Sequence, residues 1–129
     1  QKPYETTITN LYLTEAEYNH LKVLEAKVLQ KRRYSHRASS RTFSIDVFEG
    51  RHHGLILAEI ELENQSEADQ VVLPPFALED VTADPFFTGG NLVAMTEQEF
   101  QQGLSQRLRD YENCQATTSP TMEHTGANQ

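Results

Sequence analysis

Hydrophobic and polar positions alternate most regularly over Leu55-Ile56-Leu57-Ala58-Glu59-Ile60-Glu61-Leu62-Glu63. Successive side chains of a strand point to opposite faces. The pattern therefore predicts a strand with Ile56, Ala58, Ile60 and Leu62 on an apolar face and Glu59, Glu61 and Glu63 on a carboxylate face. Successive carboxylates in such a row stand about 7 Å apart and repel. An enclosed row needs a facing cation, whereas a row on the wet face of a half-exposed sheet needs only water. Arg41 to Glu49 alternates in the same way, with Phe43, Ile45 and Val47 opposite Thr42, Ser44 and Asp46. Asp is depleted from strand interiors, which singles out Asp46. Lys31 to Arg37 places Lys31, Arg33, Ser35 and Arg37 on one face and Arg32, Tyr34 and His36 on the other. A basic face of this kind is either a solvated surface or an anion site.

Helical periodicity brackets these strands. Thr14-Glu15-Ala16-Glu17 has the capping-box pattern, with Leu13 and Tyr18 at the staple positions. Tyr18, Leu21, Leu24 and Val28 then predict a structural helix running to about Gln30, its stripe packed against a sheet. Thr96-Glu97-Gln98-Glu99 repeats the box, with Met95 and Phe100 as staple. Phe100, Leu104, Leu108 and Tyr111 predict a second helix ending near Tyr111. Upstream, Tyr4 to Thr9 reads as a short strand. Ala38-Ser39-Ser40 and Gly50 to Gly54 are turns. Within the latter, His52 and His53 point apart on an extended chain, which predicts an exposed loop tip in preference to a metal site. Residues 64–70 read as a loop or one helical turn, Val71 to Leu73 as a brief extended piece, and Gly89-Gly90 as a break. Pro85 biases Asp84 away from helix. From Glu112 to Gln129 periodicity is lost, and a disordered tail is expected after a single domain over residues 1–111.

Charge narrows the function classes. A net charge of -8 and a pI near 5.0 argue against a binder of duplex nucleic acid, which needs a clustered basic surface. A local phosphate pocket stays open. No apolar run approaches the roughly 20 residues of a membrane span, and no signal-peptide pattern opens the chain. A soluble cytoplasmic protein without a membrane partner is the expectation. The one cysteine, Cys114, reads as an incidental free thiol.

If the three strands form a meander, one side of the sheet carries Lys31, Arg33 and Arg37, then Asp46, then Glu59 and Glu61. Such a surface suits a metal-bound polyphosphate, in which cations neutralise phosphate oxygens and carboxylates hold the metal. It equally suits cross-strand charge pairing, at about 0.2–1 kcal/mol per pair.

Several blocks carry a family likeness. Lys31-Arg32-Arg33-Tyr34, Ser44-Ile45-Asp46-Val47-Phe48-Glu49-Gly50, Gly54 to Glu61, and Glu79 to Pro85 with Asn91-Leu92 together resemble the second half of a CYTH domain. That family is also called the triphosphate tunnel metalloenzymes. The resemblance covers about residues 4–95 and implies an α+β fold. Its antiparallel sheet would form half of a tunnel barrel, with two flanking helices. It further implies a divalent-metal-dependent hydrolase of inorganic, thiamine or nucleoside triphosphates. Adenylate cyclase activity and a non-catalytic polyphosphate-binding module are the alternatives. By the same resemblance, Lys31 and Arg33 bind phosphate, Glu59 and Glu61 hold Mg2+ or Mn2+, and Asp46 is a catalytic tunnel acid positioning metal or water. Asp84 braces the tunnel end.

Departures from the pattern are specific. The Glu-x-Glu-x-Lys strand that opens the family is not found, Thr7 stands where a second acid is common, and Ser44 where many members have Glu. With Gln1 falling in what would be mid-domain, the chain is expected to be a second half, inactive alone. Open sheet edges would make it poorly stable, leading to self-association or pairing with an absent N-terminal half.

Overall fold

The computed structural model describes residues 7 and 9–118. They form an α+β arrangement around a three-stranded antiparallel sheet, β1 (Lys31–Ala38), β2 (Arg41–Phe48) and β3 (Ile56–Glu59), in the order β1-β2-β3. Four helices accompany it: α1 (Glu15–Leu21), α2 (Gln65–Ala68), α3 (Gly89–Ala94) and α4 (Glu97–Thr118). The expected strand at 4–9 falls largely outside the described residues, as do residues 119–129 of the expected tail.

The β1–β2 hairpin follows from its turn. Ser39 and Ser40 both have positive φ, 51° and 64°. A two-residue loop of that kind matches the right-handed twist of the strands it joins. It sets Arg33 opposite Asp46 and Ser35 opposite Ser44. In the next ladder Asp46 faces Leu57 and Ser44 faces Glu59.

This second register corrects the expected faces of the glutamate strand. Leu55 is buried and Leu57 packs against the core, whereas Ile56 is 63% exposed. The ladder puts 55, 57 and 59 on the face that carries Arg33 and Asp46. That face changes character along its length. Phe48 and Leu55 lie under helices at one end, and charged groups occupy the middle. The strand also stops at Glu59, so Glu61 and Glu63 lie beyond the ladder.

The core consists of Phe48, Leu55, Leu92 and Phe100, flanked by Leu29, Leu57, Phe86, Phe87, Met95 and Leu104. It is therefore built by α3 and α4. Of the span of the first predicted helix, only Leu29 packs against it. Thr14 caps α1 as expected, its Oγ1 accepting from the Glu17 amide at 3.2 Å, but the helix closes after Leu21 and buries no residue. Leu24 and Val28 remain 64% and 60% exposed. Short helices depend on a surface against which to bury their stripe, and this one has none among the described residues.

The C-terminal half extends beyond its predicted limits. Gly89-Gly90 opens α3 where a break was expected, because Thr88 caps the Asn91 amide. The capping box at Thr96 forms, with the Thr96 amide donating to Glu99 at 2.8 Å. Helix α4 then runs to Thr118, seven residues past Tyr111 and into the stretch read as tail. Asn64 caps the single turn of α2, in agreement with the sequence.

Candidate functional site

The hairpin register brings together three charged residues singled out by the sequence, and the third strand adds a fourth. Asp46 is fully buried at the centre of β2. Lys31 Nζ donates to its Oδ2 at 2.5 Å, while Arg33 Nε and Nη2 donate to Oδ1 and Oδ2 at 2.6 and 2.7 Å. The same Arg33 Nη2 reaches Glu59 Oε2 at 2.9 Å, tying all three strands together. Taking a carboxylate out of water costs several kcal/mol. Three charge-assisted hydrogen bonds, each contributing about 1.5–3 kcal/mol, offset that cost. Burial alone would raise the Asp46 pKa, but the bonds from Arg33 and Lys31 and their charges outweigh it, and the carboxyl falls below its ordinary range. The Arg33 guanidinium is correspondingly raised, chiefly by its bonds to Asp46.

These contacts differ in how readily they exchange. Arg33 and Glu59 are about half exposed where they meet. An ion pair in that position contributes at most about 1 kcal/mol, so an incoming anion can displace it. The bidentate contact with buried Asp46 is much harder to break. Asp46 thus holds both cations while their side chains stay about a third to a half exposed.

Glu61 is exposed and lies past the end of β3. Among the described residues, no three His, Cys, Asp or Glu side chains form a metal-holding group. The donor chemistry of Glu59 and Glu61 nevertheless fits a hard divalent ion, since Mg2+ is commonly held by one or two carboxylates with phosphates and water completing its shell.

Two features escaped the sequence reading. His52 is buried, not at an exposed tip: the 3-10 turn Gly50–His52 folds it between Phe48 and Phe100, and its Nε2 bonds the Leu92 carbonyl at 2.6 Å. Arg51 beside it donates to the Val93 and Met95 carbonyls, so this turn grips the end of α3. The second feature is the partner of Asp84. Arg107 Nε and Nη2 meet its carboxylate at 2.6 and 3.1 Å, and the guanidinium lies 4.0 Å from the Phe86 ring centroid. Asp84 also accepts from the Phe86 amide. It therefore braces the 3-10 turn Pro85–Phe87 against α4. The bonds from Arg107 lead in lowering its pKa. Arg107 is three residues after Leu104, which was assigned to the apolar stripe, and helical spacing gave no sign of its distant partner. Cys114 is an exposed free thiol, as expected.

The ionic face is a surface. A concavity of about 440 Å³ lies elsewhere, lined by Lys27, Gln30, Glu49, Arg51 and His52 among others, and Lys31, Arg33, Asp46, Glu59 and Glu61 do not line it. No described helix is long and apolar enough to cross a membrane.

Comparison with known proteins gives one informative likeness. No family model and no solved structure matches the chain. Over 78 residues the chain is 32% identical to the inorganic triphosphatase of Acetivibrio thermocellus, a stretch that covers 60% of this chain and 49% of the relative. The chain thus spans about half the length of the curated relative it matches. It is similar, over part of its length, to an inorganic triphosphatase.

Proposed function

We propose that the sheet carries the phosphate and metal face of a CYTH-type triphosphatase site. The observation that carries this reading is the buried Asp46, which holds Lys31 and Arg33 side by side on one face with Glu59 across the sheet. Lys31 and Arg33 keep a third to a half of their side-chain surface exposed while bound to Asp46, so an anion can reach them without the clamp opening. The partial likeness to an inorganic triphosphatase supports the same substrate class.

In this reading Lys31 and Arg33 bind phosphate oxygens and stabilise the charge spread over the transferred group as water attacks the terminal phosphorus and its bridging P–O bond breaks, which yields orthophosphate and leaves diphosphate as the departing group. Asp46 orients the two cations. Glu59 and Glu61 would hold Mg2+ or Mn2+, and the half-exposed Arg33–Glu59 pair is the contact that would yield to the substrate. The bound ion supplies neutralisation of phosphate oxygens and a more acidic water. The substrate is a small molecule ending in a triphosphate. A second reading, a non-catalytic polyphosphate-binding module, draws on Glu59 and Glu61 having no third acidic neighbour among the described residues.

Phosphate release from tripolyphosphate, with Mg2+ and then Mn2+, separates the two when run beside Glu59→Gln. Turnover that Glu59→Gln abolishes supports the hydrolase. Folded protein that binds tripolyphosphate without turnover supports the binding module, and turnover indifferent to Glu59→Gln rejects the metal assignment.

A further inference from the structure

The ionic face is closed at one end and open at the other. At the Lys31 end, Phe48 and Leu55 pack with Leu92 and Phe100, and Lys31 Nζ sits 5.7 Å from the Phe48 ring centroid. A phosphate chain held by Lys31 and Arg33 cannot continue into that core. Toward the hairpin the same face runs from Arg33 and Asp46 to the Ser35, Ser44 and Glu59 row, and then to Arg37 opposite Thr42. Ser35, Arg37 and Thr42 are exposed and Ser44 is half-buried. Among the described residues the ion pairs engage Lys31, Arg32, Arg33 and Arg107, and none engages Arg37.

We propose, building on the phosphate-binding reading above, that Arg37 binds the distal phosphates of a linear polyphosphate longer than triphosphate, with the Ser35 and Ser44 hydroxyls lining the path from Arg33. Arg33 and Arg37 are four residues apart on one strand face, about 13 Å at the backbone. A triphosphate seated at Lys31 and Arg33 stops short of Arg37, and a longer chain reaches it. A guanidinium with no carboxylate partner among the described residues is suited to bidentate phosphate contact. The serines matter because of what they are not. An acid at Ser44 would stand between the two arginines and repel the chain, whereas a hydroxyl donates to phosphate oxygens. Glu59, the one carboxylate in that row, stands on the third strand, across Ser44 from Ser35. The face therefore selects for phosphate chain length at its hairpin end.

Calorimetric titration of the folded chain with linear tripolyphosphate and linear pentaphosphate, in metal-free buffer so that neither turns over, tests this. The wild-type chain should prefer pentaphosphate by about tenfold, the contribution of one charge-assisted contact. Arg37→Gln should abolish that preference, and Arg37→Lys should restore part of it. Equal affinity for both probes in the wild type, or a preference that survives Arg37→Gln, overturns the Arg37 assignment and leaves the phosphate site standing. Failure of both probes to bind the folded wild type overturns the phosphate site and the Arg37 assignment together.

Discussion

Asp46 shows how one residue sets the character of its surroundings. Its two cationic partners outweigh its burial and lower its pKa below the ordinary carboxyl value of about 3.9. Asp84, held by Arg107, is lowered as well. A carboxyl whose pKa falls on folding binds fewer protons in the native than in the unfolded state between the two values, so stability rises with pH there. The stabilisation is fully present above about pH 4 to 5 and is lost as pH falls through the native values. Urea unfolding at neutral pH and again near pH 3 should therefore show a drop that Asp84→Asn reduces, and an acid dependence unchanged by that substitution would contradict the brace. The sequence singled out Asp46, because an acid inside an alternating strand invites a question. Its partners Lys31 and Arg33 were equally visible, since they alternate on one face of the preceding strand. His52 was misread because its burial depends on Leu92 and Phe100, forty or more residues away, which local alternation does not report.

At the scale of elements, caps and turns were legible and helix lengths were not. Both capping boxes formed where Thr14 and Thr96 predicted, since a cap is a contact within a few residues. The end of α1 follows what that helix can bury, whereas α4 runs on to Thr118 although residues 112–118 are all exposed. Gly103 illustrates the packing of α4. A Cβ placed there would lie 2.4 Å from Phe86 Cε2. Phe86 is fixed in turn by stacking on Phe100, an edge contact with Phe87 and the Arg107 guanidinium. Alanine would improve helix propensity by about 1 kcal/mol, but overpacking typically costs about 1–3 kcal/mol. Gly103→Ala should therefore lower the unfolding midpoint, and an increase would mean that the Phe86 ring moves freely. The glutamate strand failed differently: Leu55 and Leu57 sit at the same period as Glu59, and alternation could not tell which apolar set faces the helices. Pairing with β2 decided it.

Across the whole molecule, the sheet has β1 and β3 as its edges, and neither pairs with a further strand among the described residues. Leu11, Tyr12, Val23 and Val72 are each 79% exposed or more. Open strand edges and exposed apolar side chains favour association. Sedimentation across a range of protein concentrations should show mass rising with concentration, and a monomer throughout would contradict this. The three strands were readable from alternation, and the turns between them allowed an antiparallel meander; the split of one sheet face between core and ionic site was not legible, because it is a product of long-range packing. The central claim is that Asp46 presents Lys31 and Arg33 to a triphosphate. It is tested most directly by titrating the folded chain with tripolyphosphate, beside Lys31→Gln, a substitution that leaves the Arg33 clamp on Asp46 in place. The account predicts saturable binding weakened about tenfold by the loss of that charge, and binding that is absent, or equal in the two proteins, would contradict it.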